Sequence, residues 1–228
     1  MLKRGIPVLL LCIMSALLIS CGVPSSNTEQ SAAYTVTDIE GTVVAFPSPP
    51  KRIVTLSMST DETMLGLVEP QRMAAVNTLL DDPVSSNVTG LVKEIPQRIG
   101  NPTVEEIMAL QPDLVVVPDW GDLTMVPSLR EVGLKVIVCK GASNLAEIRE
   151  TIELLAAAAG VPERGQKLRA MMDAKLAEIQ DKVAQIPQTE RKTVVLISLM
   201  GGYGGLGSSF DEACRYAGVI NGRAELGI

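Results

Sequence analysis

The sequence of 228 residues contains no histidine. Histidine is the commonest protein ligand of zinc and the usual general base near neutral pH. Its absence therefore argues against a zinc or manganese centre built from side chains, and no nucleophile–base pair that would indicate a hydrolase is visible. The formal net charge is −6 and no basic cluster is larger than a pair. This balance argues against a nucleic-acid partner.

Cysteine is also scarce, and the four cysteines form no CxxC pair. Metal knuckles and redox pairs built on that spacing are therefore not indicated. Cys12 and Cys21 lie near the amino terminus, Cys139 ends an apolar run, and Cys214 falls within a predicted helix. We expect Cys139 and Cys214 to be two separate buried thiols. A disulfide between them is the alternative.

The amino terminus has the pattern of a targeting segment. Lys3 and Arg4 precede an apolar run over residues 6–19, which is too short for a comfortable membrane span and typical of a signal peptide over residues 1–20. The run ends in LISCG, which resembles the lipobox of bacterial lipoproteins and implies lipidation at Cys21. Residues 21–33 are polar and predict a flexible tether. We expect an extracytoplasmic protein held at a membrane by its lipid; an uncleaved anchor is the alternative.

A helix and a strand predicted within residues 100–121 set the fold class. Thr103 and Glu106 have the spacing of a capping box, and Pro112 ends the short helix that they begin. Residues 114–117 form a continuous β-branched and leucine run, as expected of a strand covered on both faces. In a parallel α/β sheet, the carboxyl ends of strands and the amino ends of helices share one edge. Glu105 and Trp120 should therefore face the same side.

The rest of the chain predicts further elements of the same type. The predicted elements are a hairpin over residues 34–46, strands at 52–57, 73–76 and 136–139, helices that begin near Ser59 and Asn144, and a long helix from Pro162 to about residue 185. A buried strand is then expected at 193–199, followed by a helix capped by Ser209 and Glu212 and a strand that starts near Val219. Residues 78–96 predict a polar loop with little periodicity.

Four stretches carry a resemblance to a known family. PPKRIVTLSMSTDETMLGLV, RIGNPTVEEIMALQPDLVVV, SNLAEIRETIELLAAAAG and GSSFDEACRYAGVIN occur in that order. They resemble the extracytoplasmic binding proteins of ABC importers for iron–siderophore complexes, haem and cobalamin. The resemblance implies two α/β lobes joined by one long helix, with the ligand in the cleft between them.

The resemblance also implies how the chain is divided. We expect an amino-terminal lobe over residues 34–160, the connecting helix over 161–187, and the start of a second, incomplete lobe over 188–228. On this comparison the sequence lacks about the last third of a usual member.

The same resemblance assigns two kinds of site residue. Glu105 stands where the family places an acid that docks on the permease; alternatively it only complements the helix dipole. The residues expected to line the ligand cleft are Met58, Ser59, Asn77, Trp120, Gly121 and Lys140 in the first lobe, and the glycine-rich stretch around Tyr203 in the second. Met58 departs from the proline common at that position in the family. Trp120 is alternatively a cap over the sheet edge, and Lys140 a solvated surface residue.

Other functions compete with this interpretation. Residues 202–207 satisfy GxGxxG, the dinucleotide fingerprint, but the predicted helix starts only beyond the last glycine. A zinc or manganese binding lipoprotein would have the same two lobes but relies on histidine. A surface lipoprotein or sensor of the same fold is a third alternative. The sequence predicts reversible capture of a chelated metal with no catalysis and no cofactor; few aromatics and no histidine weaken the case for haem.

Overall fold

The computed structural model describes residues 33–198 and 203–227. The first part of the chain contains β1 (Tyr34–Thr37), β2 (Val43–Phe46), β3 (Ile53–Thr55), α1 (Met58–Leu67), β4 (Met73–Asn77), β5 (Arg98–Ile99), α2 (Val104–Ala109), β6 (Leu114–Pro118), α3 (Met125–Glu131), β7 (Val136–Cys139) and α4 (Leu145–Ala158). The rest contains α5 (Pro162–Val183), β8 (Thr193–Val194), α6 (Ser209–Ala217), β9 (Ile220–Asn221) and α7 (Gly222–Glu225).

The central sheet has five parallel strands in the order β5-β4-β3-β6-β7. Side chains of β6 alternate between its two faces, as a strand requires. Leu114 and Val116 join a core cluster with α1 and α4, whereas Val115 and Val117 join a second cluster with α2 and α3. Both faces are covered, which explains the unbroken apolar run, and the predicted α/β class is confirmed.

The amino-terminal hairpin covers the outer edge of this sheet. The Ile39 N–H donates to the Val138 carbonyl at 3.3 Å, and the Asp38 carboxylate accepts the Val138 N–H at 3.2 Å. Arg130 pairs with the buried Asp38 at 2.8 Å. Edge strands left open invite pairing with other chains, and these contacts protect β7 from it.

The predicted long helix is present as α5, with Pro162 in its first turn. Its 22 residues extend about 33 Å at 1.5 Å per residue. Gly165 is the only buried residue of α5. A Cβ at this position would lie 2.4 Å from the Ala156 Cβ of α4. A glycine therefore permits the close approach of α4 and α5. The Arg149–Asp173 ion pair, at 2.6 Å, joins the same two helices.

The second segment differs from the prediction of a buried strand over residues 193–199. β8 has only two residues and pairs in parallel with β9, and residues 199–202 lie outside the described part of the chain. Within the described residues Val195 is 57% exposed and Ile197 is 91% exposed. The predicted buried strand is wrong in extent and burial.

Two predicted caps are each one or two residues out of place. Ser57, not Ser59, caps α1 by accepting the Thr60 N–H, and Glu62 instead accepts the Ser86 hydroxyl at 2.7 Å. Ser208, not Ser209, caps α6. Neighbouring serines give nearly the same local signal, so the tertiary fold decides between them.

Other local predictions are confirmed. Thr103 and Glu106 form the full capping box of α2, and Cys139 and Cys214 are free and buried. The loop predicted over residues 78–96 contains short 3₁₀ turns, and β5 follows it. Among the residues that the structure describes, no helix is long and apolar enough to cross a membrane. The predicted signal segment and Cys21 lie outside those residues.

Candidate functional site

The candidate site lies at the carboxyl edge of the parallel sheet. β3 ends at Thr55, β4 at Asn77, β6 at Pro118 and β7 at Cys139. Because parallel strands end on one side, the loops that follow them meet at the same edge, which is where α/β proteins bind ligands. Of the predicted first-lobe residues, Met58, Ser59, Asn77, Trp120, Gly121 and Lys140 all fall in or beside these loops.

Asp119 ties two of these loops together. Its backbone N–H donates to the Cys139 carbonyl at 2.9 Å, and its carboxylate accepts the Gly141 N–H at 2.8 Å. The other carboxylate oxygen lies 4.0 Å from the Lys140 Nζ. Both side chains of this pair are partly exposed, so the ion pair itself contributes at most about 1 kcal/mol. The sequence analysis missed Asp119, although an acid directly after a buried strand is a usable signal.

Trp120 projects from this tied loop and is 63% exposed. One edge of its indole lies on Gly141, where an added Cβ would stand 1.9 Å from Cδ1 and 2.5 Å from Nε1. The Gly121 N–H closes the turn by donating to the Pro118 carbonyl at 2.9 Å. The loop therefore presents a large apolar ring with most of its surface open, next to a lysine.

The start of α1 forms another part of the edge. Met58 packs partly into the core cluster beneath, whereas Ser59 is exposed, with its hydroxyl 3.2 Å from that of Ser57. The structure therefore gives Met58 a packing role and leaves Ser59 open.

A cavity of ≈ 270 Å³ lies between α1, α4 and the loop after β7. Its polar lining comes from Ser59, Thr60, Glu62, Thr63, Lys140 and Thr151. This brings two predicted site residues, Ser59 and Lys140, into one concave surface. Ligand pockets are usually about 300–1,000 Å³. The cavity is therefore slightly smaller than the usual ligand pocket.

Asn77 is partly committed to the protein. Its side-chain oxygen accepts the Leu79 N–H at 2.9 Å and caps a short 3₁₀ turn, Thr78–Asp81. Its backbone N–H donates to Asp61 at 2.8 Å. Only its side-chain NH₂ remains for a ligand.

Asp61 itself is a fully buried carboxylate that the sequence analysis did not single out. The hydroxyl of Thr55 also donates to it. Burial raises the pKa of Asp61 to about 7, while the hydrogen bonds from Thr55 and Asn77 oppose that shift. Nothing local in the sequence marks it, since its burial depends on the distant strand β4.

Glu105 lies in the first turn of α2, whose amino end faces the same edge of the sheet. It is exposed and has no hydrogen-bond or ion-pair partner among the described residues, whereas its neighbour Glu106 accepts the Thr103 N–H at 2.8 Å. α2 begins after β5, three strands away from β6 in the sheet. Ile107 of the same helix packs in one cluster with Val115 and Val117 of β6, the strand that Trp120 follows.

The second segment supplies Tyr203, which is 56% exposed. Gly202 lies outside the described residues, so the whole GxGxxG stretch cannot be placed. α6 begins only after Gly207, and the Gly207 and Asp211 N–H groups are bonded to Asp211 and Ser208 side chains. Two backbone donors at the start of this helix, where a phosphate would bind, are thus already used. Glu212 of α6 accepts the Leu145 N–H at 2.5 Å, which joins this segment to the start of α4.

Metal-binding residues do not gather in the part of the chain described. No group of three or more acidic or cysteine side chains there is arranged to hold a metal ion. Burial raises the pKa of the Cys139 thiol to about 12 and also raises that of Cys214. Neither thiol is suited to act as a thiolate ligand at neutral pH.

The structure combines a parallel sheet whose carboxyl edge is open with one long helix and a second segment of strands and helices. This architecture defines an α/β protein of the ligand-binding type. The chain belongs to the Periplasmic binding protein family, whose profile matches residues 53–226. The family assignment therefore covers the sheet, the long helix and the second segment.

Two curated relatives come from Bacillus subtilis strain 168. The uncharacterized ABC transporter substrate-binding lipoprotein YvrC is 26% identical over 198 residues, covering 82% of this chain and 61% of the relative. The probable siderophore-binding lipoprotein YfiY is 27% identical over 210 residues, covering 88% and 62%. The chain thus spans about three fifths of the length of either relative.

A solved structure shares the architecture. The periplasmic heme-binding protein RhuT from Roseiflexus sp. RS-1, in its apo form, superposes with a TM-score of 0.64 at 25% identity. The match covers 78% of this chain and 68% of that one. The likeness supports the assignment of the α/β fold.

Proposed function

We propose that this chain is the substrate-binding component of an ABC importer that captures a chelated metal and delivers it to a membrane permease. The observation that carries the proposal is the exposed Trp120, held at the carboxyl edge beside Lys140 by the Asp119 loop. A large open ring suits the organic part of a chelate, and a lysine suits its anionic groups. The name of YvrC supports a substrate-binding role in an ABC transporter, and the name of YfiY supports a siderophore as the ligand.

The proposed action is reversible binding without chemistry. The carboxyl edge offers a ring, hydroxyls and one amine, and among the described residues no three acidic or cysteine side chains gather to hold a bare metal ion. A ligand that arrives with its metal already chelated needs no protein ligands. We therefore propose a non-enzymatic role with no resident cofactor.

We further propose that the protein works outside the cytoplasm, anchored by lipid at Cys21. The support is the LISCG pattern after an apolar run. Both Bacillus relatives are named lipoproteins. Labelling with a clickable palmitate should tag the wild type and not Cys21→Ala; equal labelling of both would contradict the anchor.

Permease docking is proposed for Glu105. Its exposure and its lack of a partner in the described chain leave the carboxylate open to an arginine of another protein. A cap role is already filled by Glu106. Glu105 lies in the first turn of α2 and Trp120 in the loop after β6, so the two proposed contacts are assigned to different elements.

The experiment that tests the binding role uses the single tryptophan as its probe. Quenching of Trp120 fluorescence is measured with a ferric hydroxamate siderophore, a ferric catecholate siderophore, haem and cobalamin. We expect saturable quenching with one class at micromolar or lower concentration. Isothermal titration of the wild-type protein separates true binding from inner-filter loss. Failure of all four to bind below about 10 μM, a free energy of roughly −7 kcal/mol, would refute the transport proposal.

A further inference from the structure

Asp61 is the fourth residue of α1 and joins the ends of two neighbouring strands. Its side chain is fully buried. One oxygen accepts the hydroxyl of Thr55, the last residue of β3. The other accepts the backbone N–H of Asn77, the last residue of β4, at 2.8 Å. One carboxylate therefore spans the two loops that carry Ser59 and the Asn77 side chain.

This arrangement has a cost that an uncharged residue would avoid. Burying a carboxylate without a cation is unfavourable, and no ion pair to Asp61 exists among the described residues. The charges that act on it are Glu62 on its own helix, which raises its pKa, and Arg98 on β5, which lowers it. Arg98 itself is bonded to Asp81 at 2.8 Å. A perturbed buried acid beside a cleft is a common mark of function.

We infer that Asp61 is a positioning residue of the proposed binding edge, which fixes the ends of β3 and β4 relative to each other and makes their geometry respond to pH. The inference rests on the proposed function only in naming this edge a binding edge. Asp61 acts through Thr55 and Asn77 and touches no ligand.

Only one of the two oxygens of the Asp61 carboxylate can take up a proton while both hydrogen bonds are kept. The Asn77 N–H can only donate, so the oxygen facing it must stay an acceptor. The proton therefore sits on the oxygen that faces Thr55, and the Thr55 hydroxyl turns from donor to acceptor. The bond to Asn77 loses its charge assistance and weakens. The end of β4 is held more tightly when Asp61 is charged than when it is neutral.

Because the chain contains no histidine, a pH response near the end of β4 can be assigned to Asp61. No imidazole titrates in the chain, and burial raises the pKa of both described thiols. A transition near neutral pH at the end of β4 therefore points to Asp61, whose pKa is raised to about 7.

The test is a ¹⁵N NMR titration of the ligand-free protein from pH 5 to 9. The amide of Asn77 should shift with a midpoint near 7 in the wild type. Asp61→Asn mimics the protonated form, since its NH₂ can donate to Thr55 and its oxygen can accept from Asn77. The Asn77 titration should vanish in that variant. Thr55→Val removes a donor that stabilises the charge and should move the midpoint upward.

Asp181→Asn is the matched control, because Asp181 is an exposed acid on the outer part of α5; it should leave the Asn77 titration unchanged. A flat Asn77 amide in the wild type, or a titration that persists in Asp61→Asn, would overturn the inference. Unchanged shifts of distant amides establish that the variants fold. With any ligand that binds, Kd should vary between pH 6 and 8 in the wild type and not in Asp61→Asn. A pH-independent Kd in the wild type would contradict the positioning role, whereas failure of every ligand to bind refutes only the proposed function.

Discussion

Gly141 lies directly beneath the indole of Trp120, so close that a single added carbon would stand 1.9 Å from the ring. The Asp119 carboxylate holds the same glycine by its N–H at 2.8 Å. The loop after β7 is therefore the platform for the ring that follows β6. The position of Trp120 depends on the absence of a side chain at residue 141.

Gly141→Ala should displace the indole without unfolding the protein. The ring is mostly exposed and can swing outward, so the loss of stability should stay near the lower end of the ~1–3 kcal/mol typical of overpacking. We expect a changed tryptophan emission maximum and at least a tenfold weaker ligand quenching. Gly90→Ala is the control, since an added Cβ there meets nothing within 4 Å. An unchanged emission spectrum in Gly141→Ala would show that the ring is not seated on this platform.

The stability of the Asp119 loop should depend more on the oxygen of residue 119 that accepts a hydrogen bond than on the negative charge of its side chain. Asp119→Asn keeps an oxygen for the Gly141 N–H and loses only the weak pair with Lys140, which lies 4.0 Å away. Asp119→Ala loses the acceptor and should cost about 1 kcal/mol in urea unfolding, against a few tenths for Asp119→Asn. Equal losses in the two variants would mean that the Lys140 charge pair dominates.

The elements that could be predicted from sequence are those fixed by local chemistry. The run at residues 114–117 is apolar on both faces, and Thr103 with Glu106 satisfies a capping box without help from distant residues. The cap of α1 could not be assigned, because Ser57 and Ser59 are equally good capping residues and only the packing against β3 separates them. Asp61 and Asp119 were missed for a related reason. Each accepts a backbone N–H from another loop, Asp61 from Asn77 and Asp119 from Gly141, and an acid considered without such a partner is interpreted as a solvated surface residue.

The prediction for the second segment was wrong for a different reason. Residues 193–199 have the composition of a buried strand, yet Val195 and Ile197 are exposed within the described structure. The composition of a strand indicates which surroundings suit its side chains. The side chains are buried only where another layer of the protein covers them. The prediction of strand type was reasonable from the residues, but its environment could not be derived from them.

Reversal of the charge at Glu105 should reduce uptake and spare ligand binding. Glu105→Lys removes an exposed carboxylate that has no partner among the described residues, so stability should change by no more than about 0.5 kcal/mol. Uptake of the radiolabelled ligand by cells should fall at least fivefold, with Kd unchanged.

Glu106→Ala gives the matching contrast. It breaks the capping box and should cost about 1 kcal/mol of stability, while uptake stays near the wild-type value. Normal uptake by Glu105→Lys, at equal protein levels, would eliminate the docking role.

The buried Asp61 predicts an unusual dependence of stability on pH. Its folded pKa, about 7, lies above the ordinary value of 3.8, so the folded state keeps a proton that the unfolded chain releases. The contribution of Asp61 is therefore fully present below about pH 4 and is lost as pH rises through 7. Relative to Asp61→Asn, the wild type should lose up to about 1.4 kcal/mol per pH unit within that window.

Urea unfolding at pH 5, 6, 7 and 8 measures this difference directly. Asp61→Asn should be closest to the wild type at pH 5 and should exceed it by the largest margin at pH 8. Asp181→Asn should follow the wild type at every pH. A difference between Asp61→Asn and the wild type that stays constant across the series would mean that Asp61 is charged throughout the range.

At the contact between α4 and α5, a second substitution should rescue the effect of a first. Gly165→Ala places a Cβ 2.4 Å from that of Ala156, which should separate the helices and cost about 1–3 kcal/mol. Ala156→Gly removes the opposing carbon and alone should cost about 1 kcal/mol, because glycine weakens a helix interior. In the double variant the clash is absent, so the two costs should not add. A double-mutant cycle should return a coupling of at least 0.5 kcal/mol in favour of the pair. Strict additivity would show that the two helices are not in contact at this point, and the Arg149–Asp173 pair would then be the closer tie between them.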